Sequence, residues 1–135
     1  MTIGKAKIRV LLVDDEVGYL EVLSKRLGKR NHDVTTANSG QQAIQLLRRN
    51  DFDVAVVDLK MTDMDGIDVL KIFKKMDPDL SVIILTGHGS EQAAREGIEK
   101  GAFDYLTKPC DLESLLNIIH AACTRCVQPE PPDKP

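Results

Sequence analysis

Residues 11–16 read Leu-Leu-Val-Asp-Asp-Glu, LLVDDE. An apolar run that begins at Ile8 passes into three acids with no turn residue between them. Large aliphatic side chains without polar alternation suit a strand buried on both faces, as in a parallel sheet. Adjacent carboxylates repel, and the repulsion raises the pKa of at least one unless something positive holds them together. Either Asp14, Asp15 and Glu16 are a solvated strand end and helix cap, or they await a cation. The choice depends on what else the chain brings to that place.

Outward from this stretch, short runs rich in Val and Ile alternate with segments of helical period. Ile8–Val13 is the first expected strand. Val17, Leu20, Leu23 and Leu27 form a helical stripe within 17–29. Asp33–Ala37 is a more polar strand, expected nearer an edge. Ser39 followed by Gln42 is a capping-box pattern that starts a helix running to about Arg49. Val54–Val57 is a strand ending at Asp58, and Ile67–Met76 is helical with Pro78 beyond its end. Ser81–Leu85 is a fourth strand ending at Thr86. Ser90 is placed to cap a helix that stops near Gly101. Phe103–Leu106 is a fifth strand, followed by Thr107-Lys108-Pro109. Asp111 is placed to cap a last helix with the stripe Leu112, Leu115, Leu116, Ile119 and Ala122. Five βα units imply an α/β fold, a doubly wound parallel sheet with helices on both faces. Right-handed crossovers put every strand's C-terminal end on one edge, where such sheets bind ligands.

The chain has 135 residues, enough for one domain with its own core. Apolar residues at 42% and charged residues at 29% are a globular balance. A net charge of -3, with no basic stripe, gives no sign of direct nucleic-acid binding. The longest apolar runs are far too short to span a membrane, and residues 1–7 lack the apolar stretch of a secretory signal. Three cysteines without such a signal favour a reducing compartment, so the expected location is cytoplasmic.

Asp14 and Asp15, Asp58, Thr86 and Lys108 follow the first, third, fourth and fifth strands. The second strand offers only Asn38 and Ser39, as an edge strand away from the site would. Singly, each has a bland reading: an Asp caps a helix, a Thr ends a strand, a Lys before Pro is a turn. Jointly they bring three carboxylates, a hydroxyl and an ammonium to one edge. Clustered carboxylates suit Mg²⁺, a hard cation that takes oxygen ligands, whereas the His and Cys ligands of zinc are missing from these positions. A carboxylate also serves as a nucleophile toward phosphorus, and that transfer needs positive charge on the phosphoryl oxygens.

VDDE at 13–16, VVDLKM at 56–61, ILTGHG at 84–89 and YLTKP at 105–109 resemble the receiver domain of two-component response regulators, with a flavodoxin- or CheY-like fold and strand order 2-1-3-4-5. GHGS and FDYLTKP are most similar to the NtrC-like group. The resemblance covers roughly residues 6–126. It implies that Asp58 accepts a phosphoryl group from a histidine kinase or phosphotransfer protein. Asp15 would ligate Mg²⁺ directly, Asp14 through water, and the Lys60 carbonyl would be a further ligand. Lys108 would pair with a phosphoryl oxygen, with Pro109 following a cis peptide bond. Thr86 would hydrogen-bond the phosphoryl group, Tyr105 would turn inward as the switch aromatic, and the small Gly87 would admit the donor. The fourth helix, fifth strand and fifth helix would present the altered surface to an output domain or downstream protein. Homodimerisation on phosphorylation is one further outcome. Members usually carry Pro where this chain has Thr62, so the loop after Asp58 is expected to be more mobile.

The rival from another class is a Mg²⁺-dependent phosphohydrolase with an Asp nucleophile. Such enzymes usually carry a second Asp two residues on, where Lys60 stands, and a cap for which the chain has no room. A receiver that only binds partners is a third reading, opposed by the complete acidic set. On the receiver reading the protein is a phosphoacceptor rather than an enzyme, with self-catalysed phosphotransfer and dephosphorylation only. CTRC, at Cys123–Cys126 with His120 nearby, is expected to be helix surface with one-turn spacing rather than a metal or redox site. Cys110 is expected to pack. Residues 1–126 are assigned to the domain. Residues 127–135, which include the Pro-rich end QPEPPDKP, are assigned to a disordered tail or the start of a linker.

Overall fold

A computed structural model describes residues 7–87 and 90–123. The elements are β1 (Ile8–Val13), α1 (Val17–Lys29), β2 (His32–Ala37), α2 (Gly40–Arg49), β3 (Val54–Asp58), α3 (Gly66–Met76), β4 (Ser81–Thr86), α4 (Glu91–Glu99), β5 (Asp104–Thr107) and α5 (Leu112–Ala122). All strands pair in parallel, in the order β2-β1-β3-β4-β5, as the βα alternation and the resemblance anticipated.

The pleat divides the core in two. Leu11, Val13, Ala55, Val57, Val82 and Ile84 face α2 and α3, where Leu47, Leu70 and Phe73 pack against them. Val10, Leu12, Val54, Val56, Ile83 and Leu85 face α1 and α5, meeting Leu23, Leu27, Leu115 and Ile119. Alternate residues of one strand therefore serve opposite layers, which is why the central strands read as unbroken apolar runs. The two edge strands, β2 and β5, each paired on one side, are largely half-exposed. Among the described residues no helix is long and apolar enough to cross a membrane.

Polar side chains end the elements where the sequence placed them, with exceptions. Ser39 accepts from the Gln42 amide at 3.1 Å, while the Gln42 side chain accepts from the Asn38 amide at 2.7 Å, one residue before the usual partner. Asp111 accepts from the Ser114 amide. Ser90 precedes α4 but its side chain makes no capping bond, so the expected cap is not formed. α4 ends with Gly101 at φ +115°, the left-handed region that glycine enters without strain. β5 starts at Asp104 and not at Phe103. The Phe103 amide bonds the Val82 carbonyl at 2.7 Å, but its side chain stays exposed.

At the opposite edge from the strand C-termini, Arg9 grips Asp53 through its side chain and backbone amide, at 2.8–3.2 Å. This ties β1 to the turn that feeds β3. Cys123 departs from the expectation of helix surface. It caps α5 and is fully buried. Burial follows from its place below the last turn of α5, where Ala122 and Ile119 also face the sheet. Cys126, the 127–135 tail, His88 and Gly89 lie outside the described residues.

Candidate functional site

The C-terminal ends of β1 and β3 carry Asp14 and Asp58, only 2% and 7% exposed. Asp15 completes a group whose carboxylate oxygens all lie within 4.8 Å of one another. Asp14 Oδ1 accepts from the Glu16 amide at 2.9 Å, which fixes the start of α1. Its other oxygen, Oδ2, accepts from Lys108 Nζ at 2.6 Å. The same ammonium reaches Glu16 Oε1 at 3.0 Å and lies 3.8 Å from Asp58 Oδ1. It also sits 4.5 Å from the centre of the Tyr19 ring, a cation–π contact. The bond from Lys108 N to the Thr86 carbonyl, at 2.7 Å, extends the β4–β5 ladder to the base of this side chain. The Lys108–Pro109 peptide is cis.

One ammonium does not balance these acids. Burial, and then the charge of Asp14, push the Asp58 carboxyl up to about 6 despite Lys108 and the Lys60 amide. Burial acts to lower the Lys108 pKa, but its bonds to Asp14 and Glu16 prevail and leave it raised. Among the described residues the site is thus short of positive charge, and its clustered donors are oxygens only. Both features fit a hard divalent cation such as Mg²⁺, held by Asp14, Asp15 and Asp58.

Thr86 is fully buried at the end of β4, beside Asp58 through the pairing of Asp58 with Leu85. Its hydroxyl points to the loop carbonyls of Gly87 and Ser90, both at 3.4 Å. Tyr105 pairs with Ile84 and is partly buried against the layer that holds α2 and α3. Gly87 has open space where a side chain would stand. Lys60 is exposed and bridges to Asp65. The residues expected at the site therefore gather at one edge, except that Thr86 stands on β4, one strand from Asp58, and Tyr105 on β5, two strands from it. Two groups beside Lys108 were not among the expected site residues: Glu16, read with its neighbours as a helix cap or a cation-seeking acid, and Tyr19, one turn into α1. Their signal was weak, because a charge and an aromatic at a helix start usually face solvent.

The loop after Asp58 returns to the end of β3 before α3 begins. The Gly66 amide bonds the Leu59 carbonyl at 2.9 Å, and a Cβ on Gly66 would stand 2.6 Å from the Asp58 carbonyl oxygen. Asp65 caps α3 by accepting from the Ile67 amide.

Comparison with known proteins agrees with this arrangement. The family profile described as "Response regulator receiver domain" matches residues 10–120. The transcriptional regulatory protein ZraR of Escherichia coli is 39% identical over 108 residues, 80% of this chain and 24% of its own. GlrR of the same organism is 40% identical over 113 residues, 84% of this chain and 26% of its own. The chain thus spans about a quarter of the length of these curated relatives. Among solved structures, a receiver domain protein from Clostridium thermocellum superposes with a TM-score of 0.84 at 35% identity, covering 87% of this chain and 95% of that one. The receiver domain of NtrX from Brucella abortus gives 0.81 at 27% identity, covering 85% and 98%. These matches lend no support to the phosphohydrolase. Fold, acidic edge and relatives agree that the chain belongs to the response regulator receiver domains, the phosphoaccepting units of two-component signalling.

Proposed function

We propose that Asp58 is the phosphoacceptor of this receiver, that Asp14, Asp15 and Asp58 hold Mg²⁺ with the Lys60 carbonyl, and that Lys108 neutralises a phosphoryl oxygen. The observation that carries this reading is the charge imbalance among the described residues: three carboxylates within 4.8 Å, the Asp58 pKa pushed up to about 6, against a single ammonium. A bound Mg²⁺ supplies charge neutralisation for the transferring group. In the transfer, an Asp58 carboxylate oxygen bonds to phosphorus as the P–N bond of a phosphohistidine donor breaks. The departing imidazole nitrogen keeps the electron pair and takes a proton. Lys108, already 3.8 Å from Asp58 Oδ1, meets the new phosphoryl group with little movement. With acetyl phosphate and Mg²⁺, the protein should gain one phosphoryl group that hydroxylamine removes, and Asp58→Asn should gain none. Label on Ser, Thr or His would overturn the assignment.

Phosphorylation adds about -1.5 to -2 charge where two carboxylates already repel. Thr86 is placed to answer it. Among the described residues its one hydroxyl hydrogen is shared between two carbonyls at 3.4 Å, which a charge-assisted bond to a phosphoryl oxygen would outcompete. Tyr105 would then turn inward, and the surface of α4, β5 and α5 would change for a downstream partner or output domain. Ile98 and Phe103, 39% and 47% exposed, give that surface apolar anchors. A histidine kinase or phosphotransfer protein is the donor on this reading, and the cytoplasm is where the two would meet. Thr86→Ala should still accept phosphate at Asp58. In a beryllofluoride complex it should transmit less of the amide shift change to Tyr105 than wild type does. Equal distal shifts would show that the signal leaves by another route.

A further inference from the structure

The loop between β3 and α3 is fastened at two points. The Thr62 backbone amide donates to Asp15 Oδ2 at 3.0 Å. The next residue, Asp63, accepts from the Gly40 amide through Oδ1 at 3.0 Å and from the Gln41 amide through Oδ2 at 3.1 Å. These are the first two amides of α2, which have no partner within the helix. Ser39 takes the third, at Gln42. The fit is close, because a Cβ on Gly40 would stand 2.8 Å from Met64 Sδ and 3.0 Å from Met64 Cβ. α2 is itself seated in the core through Ala43 and Leu47, so Asp63 anchors the loop to a rigid element.

Asp15 is the least buried of the three clustered carboxylates, and a freely turning carboxylate would have to be ordered each time a cation bound. We infer that the Thr62 amide is a positioning donor for Asp15, held in place by the Asp63 clasp on α2, and that together they preorganise the cation site. The inference rests on the proposed Mg²⁺ role of Asp15. A carboxylate has about four lone-pair sites, so an amide on Oδ2 leaves Oδ1 open to a cation. The group that acts is the backbone N–H, which proline lacks. The threonine that departs from the proline usual in similar sequences thus contributes a bond that proline would remove.

The test has a metal-free arm and a metal arm. Without metal, the Thr62 amide should be protected from hydrogen exchange, and Asp15→Ala or Asp63→Ala should raise its exchange rate about tenfold, as expected for loss of a hydrogen bond to a charged group. An unprotected amide in wild type overturns the inference and leaves the metal assignment standing. With Mg²⁺ titrated and followed by amide NMR, Thr62→Pro and Asp63→Ala should bind about three- to tenfold more weakly. Thr62→Val, which keeps the amide and the β-branch, should bind as wild type does. Affinity in Thr62→Pro equal to or tighter than wild type overturns the inference, as does equal weakening in Thr62→Val. Wild-type affinity in Asp63→Ala overturns the role of the clasp. Protection of the amide with no Mg²⁺ response in wild type overturns the metal reading, and the positioning role with it.

Discussion

Lys108→Met should destabilise the metal-free protein by about 3 kcal/mol, the low end of the range for breaking a buried ion pair. Methionine keeps most of the stem's volume and removes the ammonium. Asp14, with a side chain 3% exposed, then loses its 2.6 Å partner, and Asp58 loses the only cation near it among the described residues. The low end applies because the Lys108 side chain is itself 16% exposed and water partly replaces it. Glu16→Gln removes the charge of the other acid paired with the same ammonium. Glu16 is 67% exposed, so that change should cost less than about 1 kcal/mol. Urea unfolding in the presence of a chelator measures both. Saturating Mg²⁺ should return part of the Lys108→Met loss, since a ligand bound only by the folded state stabilises it. A Lys108→Met loss equal to that of Glu16→Gln would show that the ammonium is not the counter-charge of the buried acids.

Asp58→Asn should act in the opposite direction. Burial and Asp14 hold the Asp58 carboxyl up to about 6 in the folded protein, against 3.8 for the free side chain. Between those values the folded state carries the proton and the unfolded state does not, so stability falls as pH rises. The contribution is whole below pH 3.8 and lost as pH passes about 6. At pH 7 the wild type therefore folds against an unfavourable charge that asparagine lacks. Each tenfold change in proton affinity is worth about 1.4 kcal/mol, and residual hydration of the carboxylate reduces the total. The variant should thus be more stable by about 2 kcal/mol in metal-free buffer. The gap should close near pH 4, and Mg²⁺ should narrow it from the other side by favouring the ionised wild type. A gap that stayed constant from pH 4 to pH 8 would mean that Asp58 is not held in its protonated form by its surroundings. Stability given up at Asp58 is consistent with a site shaped for chemistry rather than for folding.

What the sequence determined by itself was the sheet and its working edge. Leu11–Val13, Val54–Val57 and Val82–Leu85 have no polar alternation, and only burial on both faces accommodates such runs. Parallel strands with right-handed crossovers then bring Asp14, Asp58, Thr86 and Lys108 to one side, because the chirality of the connection leaves no other placement. The direction and pairing of side chains across the sequence were decided in tertiary structure. Thr62 meets Asp15 across 47 residues, Asp63 meets Gly40 across 23, and Lys108 meets Glu16 across 92. Each of these bonds depends on the path of a loop, and loops carry no periodic signal. β5 began one residue later than its apolar pattern suggested, because the ladder to β4 aligns Asp104 with Ile83 and leaves Phe103 outside. Cys123 likewise read as helix surface from its spacing and proved buried, since the face a terminal residue presents depends on how α5 lies against the sheet. Local pattern records which residues must leave water; only the packed chain settles which partner each polar group finds when it does.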